Sequence, residues 1–256
     1  MPDPAHLVLF LALGAVFGAL SGLFGIGGGI IAIPVLTLFF GHDQQHAQGT
    51  ALVMVAPNVM VGLWNYAKRG DLDRRVAVLL GASAVPFTFV GALYATRVAG
   101  PGLRYGFAAF LGVLALYFAW RTFRAGARTA DAAPRRALLA WGWTGIVGAL
   151  GGILSGLFSV GGAVFAVPFL SLAFGFSQTA SQGLSLALVA PGTIVGIIAY
   201  ALAGDVDWGT GIPLAIGGTL FVRYGVALAH RLSEQRLRLL FCAMLGVTAL
   251  ALFFKV

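Results

Sequence analysis

The sequence predicts an all-α polytopic membrane protein made of two inverted-topology repeats, each of about five helical segments. Three observations predict it. First, 59% of the 256 residues are apolar and only 9% are charged, with a mean hydropathy of +0.94; that leaves too little polar side chain to coat a water-soluble globule of this size. Second, the chain repeats itself. Displaced by 134 positions without a gap, Gly14–Asp73 and Gly148–Asp207 share thirty of sixty residues, a period too long for a solenoid and expected of a duplicated domain. Third, the basic residues outside the apolar segments gather on one side of the predicted topology, as described below.

The first apolar segment, about 6–24, follows Asp3 and His6 with no lysine or arginine before it, so it lacks the basic start of a cleaved signal and is expected to be retained. The second, about 28–41, is short: fourteen residues make roughly 21 Å of helix, less than the ~30 Å hydrocarbon core. It is expected to form a hairpin with its predecessor, broken at Gly25-Ile26-Gly27-Gly28-Gly29, either as a shallow crossing pair or as a re-entrant pair. Segments at about 46–67, 76–97 and 102–123 complete the first copy. The second copy runs through about 137–158, 162–175, 180–202, 208–230 and 236–255, broken at Ser159-Val160-Gly161-Gly162. Residues 1–124 thus form a first membrane repeat and 137–256 a second, joined by an Arg-rich linker at 125–136.

If each broken pair returns to its starting side, the second copy inserts upside down relative to the first. Twelve basic residues then fall on one side (Lys68, Arg69, Arg74, Arg75, Arg121, Arg124, Arg128, Arg135, Arg136, Arg231, Arg236 and Arg238) and three on the other (Arg97, Arg104 and Lys255). That bias puts the linker in the cytoplasm and both termini outside. The net charge of +8 is accounted for by these juxtamembrane residues, and no base-reading module accompanies them, so a nucleic-acid partner is not expected.

Inverted repeats with interrupted helices point to a secondary transporter whose substrate binds where the two breaks meet. A helix restarting at Gly27-Gly28 or Gly161-Gly162 presents unpaired N–H groups and the positive end of its dipole, which favours an anion. Glycines let an oxyanion approach the backbone closely; the competing reading is that they only allow tight helix packing.

The run Gly22-Leu23-Phe24-Gly25-Ile26-Gly27-Gly28-Gly29, followed by a short helix closed by Pro34, and its weaker copy ending in Pro168, resembles the TauE/SafE family of sulfite exporters. Arg223 with Gly225 is similar to that family's small-Arg-x-Gly stretch before the last helix. The resemblance covers essentially the whole chain. It implies a bacterial inner-membrane carrier exporting sulfite, sulfoacetate or other organosulfonates, and it identifies the family better than the substrate. The second copy departs from the pattern, with Ser159 and Ala163 in place of Gly25 and Gly29.

Polar residues within apolar segments are costly in lipid and mark candidate site positions. Thr50, Asn58 and Asn65 share one face of the third segment, as helix-to-helix bonding or as a substrate wall. Gln48 and Gln182 start the third segment of each copy, as caps or as gates. Ser21 and Ser155 lie one turn before the breaks, facing either their own helix carbonyls or the ligand, and Ser159 offers a hydroxyl at the second break. Arg223 either snorkels to the cytoplasmic surface or attracts anions. The candidate substrate-binding residues are therefore Ser21, Gly25, Gly27, Gly28, Gly29, Gln48, Asn58, Asn65, Ser155, Ser159, Gly161, Gly162, Gln182 and Arg223.

Asp71/Asp73 and Asp205/Asp207 follow glycines in short loops and read as helix N-caps. His42 and His46 lack a third ligand in sequence beyond Asp43, so no metal site is expected, and no strand precedes Gly25-x-Gly27 to make a dinucleotide fingerprint. No His, Cys, Asp or Glu cluster lies at membrane depth, so an intramembrane enzyme is not expected. Cys242, the lone cysteine, sits in an apolar run as a packing residue. The expected partners are a small anion and the bilayer, with a homodimer left open and no cofactor. Two further readings stand beside export: cation-coupled uptake of a sulphur oxyanion or small organic acid, and a structural membrane scaffold.

Overall fold

The computed structural model describes residues 4–70, 72–98, 100–125 and 141–253. The linker expected at 125–136 lies outside the described residues except for Ala125, and so does Asp71. The described residues form ten helices in chain order: α1 Pro4–Phe24, α2 Gly29–Phe39, α3 Gln44–Lys68, α4 Arg74–Ala95, α5 Gly100–Ala125, α6 Trp141–Phe158, α7 Gly161–Ala173, α8 Gln178–Leu202, α9 Trp208–Arg231 and α10 Glu234–Phe253. No strand occurs among them.

Seven of these helices are long and apolar enough to cross a membrane; Gly29–Phe39, Trp143–Phe158 and Gly161–Ser171 are shorter apolar stretches. Large apolar side chains also cover the outer surface, among them Val78 and Val90 on α4, Val113 and Leu116 on α5, Leu220 on α9 and Val247 on α10. Such a surface is stable against hydrocarbon, not water, and the protein is a multi-pass membrane protein.

Helix starts obey local chemistry. The side chains of Asp43, Asp73, Ser177 and Asp207 accept backbone N–H groups in the first turns of α3, α4, α8 and α9, satisfying donors that the helix itself leaves unpaired. Asp73 and Asp207 are the caps that the sequence predicts. Pro34 and Pro168, expected to close the short helices, instead lie inside α2 and α7, which continue to Phe39 and Ala173. A proline there forfeits one bond, whereas unwinding the rest would leave several backbone groups unpaired away from water.

The two copies interlock. Along α1 and α9, Gly14 packs on Leu214, Gly18 on Gly218 and Gly22 on Val222, so the numbers rise together and the helices run parallel. The equivalent helices of the exchanged copies do the same: Gly148 meets Leu80, Gly152 meets Ala84 and Gly156 meets Thr88 along α6 and α4. A Cβ at any of these glycines would strike a backbone carbonyl, which is why small residues recur there.

The third helices of the two copies, α3 and α8, cross at the centre. Gln48 meets Tyr200 and Tyr66 meets Gln182, while Leu52 lies against Gly196 and Leu186 against Gly62. The numbers fall on one helix as they rise on the other, so these equivalent helices run antiparallel, and the midpoint of their pairing sets Pro57 opposite Pro191. Outside this centre, α5 and α10 pack on each other and seal the ends of α1 and α6. Phe24 packs on Phe241 with ring centroids 6.0 Å apart, and its counterpart Phe158 packs on Phe107 at 5.2 Å.

Candidate functional site at the paired helix breaks

Between α1 and α2 the chain passes through Gly25, Gly27 and Gly28 at φ 66°, 79° and 86°, a left-handed path that only glycine adopts without strain. Between α6 and α7 it turns on Ser159 at φ 63° and on Val160. The two breaks touch: a Cβ on Gly29 would come within 2.6 Å of Val160 Cγ1. Gly27 faces Val55 and Val59, and Gly29 faces Val55, residues that flank Pro57 at the middle of α3. The first turns of α2 and α7 therefore begin in the interior, near the midpoint of the α3–α8 crossing. Among the described residues no side chain caps either one, in contrast to α3, α4, α8 and α9.

Neutral polar groups surround these breaks. Gly25 packs so tightly on Gln182 that a Cβ would come within 2.5 Å of the glutamine's Cβ. Ser185 Oγ lies 2.7 Å from the Gly25 carbonyl oxygen and 2.8 Å from that of Gln182, donating to one or the other. The fully buried Tyr66 hydroxyl stands 2.8 Å from Gln182 Oε1 and 2.9 Å from the Gly22 carbonyl. Its counterpart Tyr200 donates to Gln48 Oε1 at 2.6 Å, with the side chain of Ser159 beside it. Gln48 Nε2, Gln182 Nε2 and Ser21 Oγ are buried and have no hydrogen-bond partner among the described residues. Such groups are costly to leave unmet in a dry interior.

Most of the residues singled out in sequence gather here. Gly25, Gly27, Gly28 and Gly29 form the first break, and Ser159, Gly161 and Gly162 the second. Ser21 and Ser155 face Gly28 and Gly162 across each hairpin, and Gln48 and Gln182 flank the breaks. The third-segment stripe makes contacts between helices and within its own. Asn58 is buried against Gly218 and accepts from Thr219 at 3.4 Å, and Thr50 Oγ1 accepts the Asp207 N–H at 2.9 Å. Asn65 turns back to the Val61 carbonyl of its own helix at 2.8 Å. Thr50 and Asn58 thus join α3 to α9. Arg223 is not brought to the breaks: it is exposed on the outer face of α9, stacked over Tyr224 and donating to its hydroxyl at 2.7 Å. The break-facing side of α9 is taken by glycines packed on α1, which leaves the long side chain outside.

Tyr66 and Tyr200 escape the sequence reading, which weighs no tyrosine among the polar residues of the apolar segments. Their identity at equivalent positions of the two copies is the signal that finds them.

At the α2–α3 end the structure joins what the sequence separates. His46 Nδ1 lies 3.3 Å from Asp43 Oδ1 and 3.4 Å from Asp205 Oδ1, and His42 Nε2 is 3.9 Å from Asp207 Oδ2. Burial raises the Asp205 carboxyl above its ordinary value, with nearby His46 lowering it and Asp43 raising it in part. Burial also acts to raise Asp207, but hydrogen bonds from Thr210 and Gly209 and the neighbouring His42 hold it below. No group of three or more His, Cys, Asp or Glu side chains arranged to hold a metal occurs among the described residues.

Two interlocked copies crossing a membrane around paired helix breaks define a membrane transporter. The family model described as sulfite exporter TauE/SafE matches residues 10–252, and the chain belongs to that family. It is 26% identical over 261 residues to a probable membrane transporter protein of Methanocaldococcus jannaschii, covering 95% of this chain and 94% of the relative. A probable membrane transporter protein of Xylella fastidiosa is 28% identical over 232 residues, covering 90% and 87%. The probable membrane transporter protein YdhB of Bacillus subtilis is 26% identical over 211 residues, covering 82% and 83%. No solved structure matches the chain.

Proposed function

We infer that this transporter exports small sulphur-containing anions, such as sulfite, sulfoacetate and other organosulfonates, across a bacterial inner membrane by alternating access. The carrying observation is the contrast in helix capping. The four helices with described caps that start outside the breaks are capped by side chains, whereas α2 and α7, which start inside, are not. Two uncapped N-termini facing a common interior supply N–H donors and positive dipole ends to an anion. The polar groups beside them are neutral amides and hydroxyls, which bind a dehydrated oxyanion without trapping it as a buried cation would. The sulphur-anion class comes from the family.

Antiparallel α3 and α8 support an inverted-repeat topology in the membrane, and the basic residues then set both termini outside the cytoplasm. An inside-negative potential drives an anion outward with ~2.3 kcal/mol per charge per 100 mV, so export needs no coupling ion. The parallel α1–α9 and α4–α6 seams tie each copy to the other, so the moving unit includes helices of both.

The test is current from purified protein in proteoliposomes, challenged in turn with sulfite, sulfate, sulfoacetate, taurine and acetate, with and without sodium or pH gradients. Sulfite or sulfonate current that ignores the cation gradients is expected. Dependence on sodium would replace export with coupled uptake, and silence in both current and tracer flux from folded protein would overturn transport of these anions.

A further inference from the structure

We propose that the anion is held at two equivalent stations, one on each side of the Pro57/Pro191 crossing: Tyr66 with Gln182, and Tyr200 with Gln48. This rests on the transport reading above and specifies where its substrate stops. Each pair takes one residue from each copy and is the counterpart of the other under exchange of the copies, so the two stations stand in two-fold-related positions on opposite sides of the crossing.

The chemistry lies in the amides. Each tyrosine hydroxyl holds the oxygen end of its glutamine, at 2.8 Å for Gln182 and 2.6 Å for Gln48. The opposite ends, Gln182 Nε2 and Gln48 Nε2, are left buried and without a partner among the described residues. An N–H donor abandoned in a dry interior is costly, and a charged acceptor repays it best. Both stations adjoin the breaks, Gln182 through its contact with Gly25 and Tyr200 through Ser159.

One helical turn before each glutamine stands another, Gln44 before Gln48 and Gln178 before Gln182, and both of these side-chain amides are buried and wholly unpartnered among the described residues. An i, i+4 spacing puts each pair on one helix face, a second amide between station and membrane surface. Gln48 and Tyr66 are separated on α3 by roughly 27 Å of helix, so one small ion cannot touch both stations. The fitting ligand has several acceptor oxygens and no need of a cationic partner: a sulfite or sulfonate group, recognised by amide N–H.

The test is sided transport of sulfite and methanesulfonate, with acetate as the carboxylate control, in proteoliposomes of one orientation. Tyr66→Phe and Gln182→Ala are expected to raise KM about tenfold for anion presented from one side and less than twofold from the other. Tyr200→Phe and Gln48→Ala should do the reverse. Equal shifts from both sides, or none, would overturn the proposal while leaving transport standing. Acetate handled like methanesulfonate would overturn the preference for sulphur oxyanions.

Binding is read separately by thermal stabilisation with sodium sulfite. Gln182→Glu combined with Gln48→Glu keeps an acceptor for each tyrosine but removes the donors. Sulfite should stabilise the wild type and leave this variant unmoved, and stabilisation of both would reject the stations even if no anion is transported. Should the double variant fail to fold, the two Tyr→Phe variants in the same binding assay decide: sulfite affinity unchanged in both overturns the proposal.

Discussion

The first break spends four residues between α1 and α2, three of them glycines at positive φ; the second spends two between α6 and α7, with Ser159 alone at positive φ. Both deliver an uncapped helix start to the same interior point. The difference lies in what presses on each turn. At Gly25 the backbone of Gln182 leaves no room for a Cβ, whereas Ser159 has its side chain beside the Tyr200 hydroxyl. One left-handed residue suffices for the second break, whereas at the first glycine is demanded at Gly25 by Gln182 of the other copy and at Gly27 and Gly28 by Val55 and Phe17 of its own.

Exchanging those residues tests this comparison most severely. Gly25→Ser puts a Cβ at φ 66° against Gln182 and should cost about 3 kcal/mol or more through strain and overpacking together, seen as loss of folded protein in detergent and of transport. The opposite change should help. Ser159→Gly relieves left-handed strain worth ~1 kcal/mol and should raise the melting temperature by about 2–4 °C; a fall would mean that the serine side chain holds the second break in place.

The loop that follows α8 offers a smaller contrast between two carboxylates. Asp207, held low, contributes stability that is present above the unfolded pKa of about 3.9 and is lost as pH falls through its lower folded value. Asp207→Ala should therefore cost ~1 kcal/mol of stability at neutral pH. Asp205, raised, contributes in the opposite sense: its contribution is present below the unfolded value and lost as pH rises through the folded one. Asp205→Asn should melt like the wild type in acid and above it at neutral pH. Identical pH profiles for the two variants would break the distinction.

The smallest effect is expected outside the site. Arg223→Gln removes a stacked, exposed guanidinium on the lipid side of α9 and should change sulfite KM by less than about twofold, since no desolvated contact is lost. A tenfold change would draw Arg223 into the path.

Much of this was readable in the linear chain. Segments such as 180–202 and 208–230 lie within two residues of α8 and α9, because a long apolar run has one stable form in hydrocarbon. The breaks were readable because glycines and Pro34/Pro168 recur at the same offset. The Asn58 stripe was ambiguous because helical spacing shows which residues share a face and never what that face meets. Arg223 was ambiguous for the same reason, and the His46–Asp205 contact was invisible because its members lie far apart in the chain.

The sequence by itself determined the membrane class, the duplication, the ten helices and the positions of the breaks, since composition, periodicity and the 134-residue offset are local or self-referential properties. Only the tertiary structure decided that α1 runs beside α9, that α3 and α8 cross at their prolines, and that each buried tyrosine holds a glutamine of the other copy. These contacts join residues more than a hundred positions apart. No propensity reaches that far; close glycine packing and the need to pair polar groups away from water select them only once both copies are folded together.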